Sequence, residues 1–106
     1  MINAEKLVEL AQYFTIIHHI KGRIRIRVSS KIKEEQQNSN VTLSDIENLP
    51  QIINGINKIK INKIVGSITI EYDHEIFKKE LWDNLVEGKN LDEVTEIINK
   101  LYKEIV

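Results

Sequence analysis

The residues of this chain that could do chemistry are few: three histidines, His18, His19 and His74, and an arginine ladder, Arg23, Arg25 and Arg27, within the stretch HHIKGRIRIRV. Imidazoles together with the carboxylates of Asp73 and Glu75 make a nitrogen and oxygen donor set suited to iron, zinc or an axial heme position. Successive side chains of a strand point to opposite faces. Over 16–28 this alternation puts His18 with Ile16, Ile20, Ile24, Ile26 and Val28, and His19 with Lys21 and the arginines. Two neighbours on one regular strand cannot chelate a single ion, so a metal needs His18 to meet a donor from another element. A third strand ending at Tyr72 and lying beside the first, with Val28 near Gly66, brings His18 and His19 toward Asp73 and His74. Against this stands the plainer role of a histidine that satisfies packing near a core.

The ladder points to negative charge. Lys58 and Lys60 on a second strand, and Ser67, Thr69 and Glu71 on a third, have the parity opposite to the aliphatic residues, so they extend a basic sheet face that holds a single acid. RNA-binding sheets stack bases on aromatic side chains, and none of these positions is Phe, Tyr or Trp, which argues against nucleic acid. An acidic protein, an anionic ligand such as a heme propionate, or solvent and glutamates of the same chain are the remaining counterparts.

Helices are needed to cover the aliphatic face of such a sheet. Leu7, Leu10, Ala11 and Phe14 have helical spacing within 3–14, as do Leu43, Ile46, Leu49, Ile52 and Ile53, where Thr42 or Ser44 is a candidate cap and Pro50 a kink or stop. Two later helices carry Ile76, Phe77, Leu81, Trp82, Leu85 and Val86, ended by Gly88, and then Leu91, Val94, Ile97, Ile98, Leu101 and Ile105, with Asn90 as cap. Between the strands GINKIKIN and SITIEYD, residues 63–66 read as a hairpin connection, while 29–40 read as a flexible loop and Gly22 as a bulge or twist within one long strand. The expected domain is single: an N-terminal helix (1–15), a core (16–87) and a C-terminal helix (88–106). Its class is α+β, a ferredoxin-like β-α-β-β-α core of three strands, with the third between the other two and an extra C-terminal helix in place of the fourth strand. The first strand is then an edge, open to pairing with a second copy or a partner strand, so a homodimer is one expectation.

The balance of 15 Lys and Arg against 16 Asp and Glu gives net charge −1, so any attraction to anions is local. With no cysteine, disulfides, thiolate metal sites and a cysteine nucleophile are excluded. No phosphate-binding glycine loop or HExxH pattern is present, and a non-enzymatic protein is expected. The N-terminal residues carry charges where a secretory signal needs an apolar run, and no segment has the length and apolarity to span a bilayer, so the expected location is the cytoplasm.

IIHHIKGRIRIRV, followed by a helix and by INGINKIKINKIVGSITIEYD, resembles the cysteine-free heavy-metal-associated-like domains related to the N-terminal domains of metal-transporting P-type ATPases. The resemblance rests on the histidine ahead of Gly22-Arg23-x-Arg25 and on the hairpin ending GSITIEYD, and covers roughly 16–85. It implies a role in metal homeostasis, with iron or another transition metal or heme as ligand, or docking on a metal-transporting P-type ATPase. The Cys-containing loop of the better-known relatives is absent, which argues against a soft metal held by sulfur. The alternative is an interaction adaptor that uses Arg23, Arg25, Arg27, Lys58 and Lys60 and has no ligand of its own.

Overall fold

The computed structural model describes residues 3–31 and 43–103, which form five helices and one four-stranded sheet. The elements are α1 (Ala4–Ala11), β1 (Phe14–Ile20), β2 (Arg23–Val28), α2 (Leu43–Glu47), α3 (Leu49–Ile52), β3 (Ile56–Asn62), β4 (Ser67–Tyr72), α4 (Lys79–Glu87) and α5 (Leu91–Leu101). Most of the expected loop at 29–40, and the candidate cap Thr42, lie outside the described residues.

The sheet order is β1-β2-β4-β3, with every neighbouring pair antiparallel. The strand 67–72 is central, flanked by β2 and β3 as the alternation requires. The three-strand expectation is corrected, because the long strand at 16–28 is a hairpin. The chain reverses at Lys21-Gly22, where Ile20 pairs with Arg23 and Gly22 takes φ +92°. That conformation is open to glycine and strained for other residues. The edge next to β2, where a ferredoxin-like fold carries its last strand, is therefore filled by an N-terminal strand. Helix α5 does not replace it.

One face of the sheet supplies Ile24, Ile26, Ile68, Ile70 and Tyr72 to the core, and the helices supply Leu7, Leu10, Ile46, Leu49, Phe77, Trp82, Leu85, Val94 and Ile98. Asn3 caps α1 by accepting from the Lys6 N–H, and this helix ends earlier than its periodicity suggests because Phe14 already belongs to β1. Pro50 sits in the first turn of α3, just beyond the break at Asn48, where a residue without an N–H costs nothing. Gly88 ends α4 in the left-handed conformation. Ile76, expected on the core side, is instead 47% exposed, since 74–77 form a turn ahead of α4. The end of α5 is tied to the chain before β3 by Asn54 N–H donating to Leu101 O and Lys103 N–H to Ile52 O. Both terminal helices thus pack on the apolar side, and no described helix lies over the other face of the sheet.

Candidate functional site

The open face follows from the pairing register. Arg23, Glu71 and Lys58 form one row across β2, β4 and β3; Arg25, Thr69 and Lys60 form the next; Arg27, Ser67 and Asn62 the third. On β1, Ile20, His18 and Thr15 continue these rows beside Arg23, Arg25 and Arg27. The arginines and lysines of the rows are exposed, and none of them takes part in an ion pair with another described residue. A shallow groove of about 600 Å³ runs over this face, lined by Arg23, Arg25, Lys60 and Lys63 with the hydroxyls of Ser67 and Thr69. Four cations and, among the described residues, no carboxylate on its walls make it a place for negative charge.

The histidines are arranged by a β-bulge. Between the pairs Ile16–Ile26 and His18–Arg25 there is one residue too many on β1, Ile17, and the extra residue inverts parity for the rest of the strand. His18, expected on the apolar face, is exposed beside Arg25. His19, expected on the basic face, points inward opposite Ile24, and its side chain is 4% exposed. The predicted meeting of His18 with His74 does not occur. Val28 does approach Gly66, with its N–H donating to Gly66 O at 2.8 Å, but the hairpin at Lys21-Gly22 folds β1 back along β2, so His18 pairs with Arg25 instead of running on past Tyr72 toward His74. His74 is exposed in the turn after β4, and Asp73 is occupied in building that turn, its Oδ1 accepting from the Glu75 N–H at 2.9 Å.

Inside the helix–sheet layer, His19 joins residues that periodicity alone did not single out. Its Nδ1 lies 2.7 Å from Oδ1 of Asp83 on α4, and its Nε2 lies 2.7 Å from the Tyr72 hydroxyl. A carboxylate only accepts, so Nδ1 carries the hydrogen and donates. Tyr72 then donates to Nε2. When Nε2 is itself protonated it donates to the tyrosine oxygen, and the hydroxyl can turn to the Ile20 carbonyl at 3.3 Å. Burial, and secondarily the negative charges of Asp83 and Glu80, push the Tyr72 hydroxyl above its usual range, which keeps it a donor. Lys79 approaches the other oxygen of Asp83 at 3.4 Å. The chain Asp83–His19–Tyr72 has the order of a catalytic relay, and it ends in a tyrosine whose ring packs with Phe77 and Trp82.

A small antiparallel sheet with one helical layer and a cationic opposite face defines an α+β domain. Over residues 7–103 the chain matches the family model described as heavy metal associated domain 2, and it belongs to that family. No curated protein and no solved structure matches it.

The residues at hand fit a resident metal poorly. The chain has no cysteine, and among the described residues no three of His, Asp and Glu are gathered to hold an ion. Both nitrogens of His19 are engaged, and His18 is the cross-strand partner of Arg25, whose charge repels a cation. Among the described residues no helix is long and apolar enough to cross a membrane.

Proposed function

We propose that this member of the heavy-metal-associated family is a non-enzymatic docking module of metal homeostasis, which engages an acidic surface of a partner protein, such as a metal-transporting P-type ATPase, through Arg23, Arg25, Arg27, Lys58 and Lys60. The observation that carries this reading is the sheet face on which these five cations stand exposed and, among the described residues, without an ion-pair partner, beside Glu71. Side-chain carboxylates of a partner gain charge-assisted hydrogen bonds from the arginines, whose planar donors suit carboxylates better than lysine does. The contact is expected to be fast to form and to weaken with salt. Fluorescence anisotropy of a labelled glutamate-rich peptide is the test: binding that falls with ionic strength and is lost in R23Q/R25Q/R27Q supports it, whereas equal binding by that variant removes the arginines from the interface.

A second reading has His18 as a heme ligand, with His74 and Asp73 as further candidates and His19 retained in its internal role. It is favoured by the cross-strand pairing of His18 with Arg25 on one face, an arrangement that serves an iron porphyrin with anionic propionates better than a bare cation. Titration with heme, and separately with ferrous, cobalt and zinc ions, tests it. A Soret shift lost in His18→Ala is expected, and heme affinity unchanged by that substitution overturns it.

A further inference from the structure

The turn joining β3 to β4 holds two apolar side chains that the fold does not use. Ile64 is 96% exposed and Val65 53% exposed. The turn itself is closed by other groups: Asn62 Oδ1 accepts from the N–H groups of Ile64 at 3.1 Å and Val65 at 3.2 Å, and Gly66 N–H donates to Asn62 O at 2.9 Å. Any residues but proline could stand at 64 and 65 without loss of these bonds, and a soluble turn is ordinarily polar there. Lys63 precedes the apolar pair, and the groove that includes Ile64 in its wall continues through Lys60 to Arg25 and Arg23. An apolar tip at the end of a cationic face is the combination that binds an anionic lipid surface, the tip entering the boundary between headgroups and acyl chains and the cations meeting the headgroups.

The occupant follows from shape and charge. A protein interface of ordinary size covers about 800 Å² on each partner and needs a complementary pocket for a protruding side chain, whereas a bilayer accepts a convex tip of any outline. We propose that this chain associates reversibly with anionic membranes, with Ile64 and Val65 inserted and Lys60, Lys63 and Arg25 against the headgroups. This goes beyond docking on an acidic protein, since it rests on the apolar tip, which that reading does not need.

Co-sedimentation with phosphatidylcholine vesicles, with and without phosphatidylglycerol, decides it. The intact chain is expected to sediment with the anionic vesicles alone and to be released by salt. I64S/V65S should weaken the partition about tenfold or more, and K60Q/K63Q about fivefold per lysine removed. No sedimentation with anionic vesicles overturns the proposal, as does I64S/V65S binding like the parent, which reduces the effect to charge. Because the chain has no cysteine, I64C also gives a unique site for an environment-sensitive dye. A blue shift on adding anionic vesicles, with circular dichroism unchanged, supports insertion, and a dye that stays in water refutes it independently of the serine variant.

Discussion

Asp83→Ala removes the one charged acceptor of the His19 relay and leaves the fold otherwise intact, so it measures what holds β1 to the helical layer. The Nδ1–H of a ring 4% exposed loses its partner at 2.7 Å. A buried donor left unmade costs about 1–3 kcal/mol. The carboxylate itself is 30% exposed, so the charged part of the bond is discounted for solvent screening, which places the expected loss near 2 kcal/mol. For a domain of this size that corresponds to roughly 8–16 °C in Tm. Urea denaturation followed by far-ultraviolet circular dichroism reads it directly, the slope m being unchanged if the native and unfolded states keep their compactness. In a His19→Leu background the same substitution should cost little, because no N–H is then orphaned, giving a coupling of at least about 1 kcal/mol in the double-mutant cycle. If Asp83→Ala lies within about 0.5 kcal/mol of the parent, the relay is not a structural clamp and the geometric argument fails.

Two other consequences can be measured in the same way. Gly55→Ala is expected to cost more than Gly22→Ala: both have positive φ, but a Cβ at Gly55 meets Ile76 Cγ2 at 3.0 Å and Phe77 Cβ at 3.1 Å, while at Gly22 the nearest atom is Tyr72 O at 3.5 Å. We expect about 1 kcal/mol at Gly22 and 2–4 kcal/mol at Gly55, and equal effects in chemical denaturation would count against the packing account. At alkaline pH, burial pushes the Tyr102 hydroxyl up to about 12, with Glu5 adding to the shift, and Tyr72 is shifted in the same direction. Both native hydroxyls hold their protons more tightly than the unfolded chain does, so their contribution is complete below pH 10 and is lost as pH rises from about 10 to 12. A pH titration of unfolding should show this decline, and Y72F/Y102F should flatten it; a decline of the same size in that variant would assign it to other groups.

The sheet and its helices were largely legible, because aliphatic periodicity reports burial. Ile24, Ile26, Ile68 and Ile70 alternate with polar residues, and they are the floor of the core. Leu81, Trp82 and Leu85 have helical spacing and meet that floor. The basic face was legible for the same reason, since Arg23, Arg25 and Arg27 are the complement of that alternation. The hairpin at Lys21-Gly22 was hidden by the unbroken alternation on its two sides, although a glycine inside a strand pattern is itself a turn signal. Ile17 was harder to read. An isoleucine carries no mark that it will be the extra residue of a bulge, and only its pairing with β2 shows that it is. The Asp83–His19–Tyr72 relay joins residues 64 and 53 positions apart, so no local pattern could reveal it.

The extra residue on β1 works as a phase shift confined to half a strand. Upstream of Ile17 the chain keeps the in-and-out assignment of Ile16, and downstream every side chain exchanges its address. Were Ile17 paired regularly, opposite Arg25, His18 would point inward opposite Ile24 and His19 outward opposite Arg23, without altering the chemical identity of either position. One imidazole is thereby committed to holding the protein together and its neighbour released to the solvent side, from a sequence in which the two are identical. The surface histidine can then vary at little cost to folding, while the interior one is fixed by partners on β4 and α4.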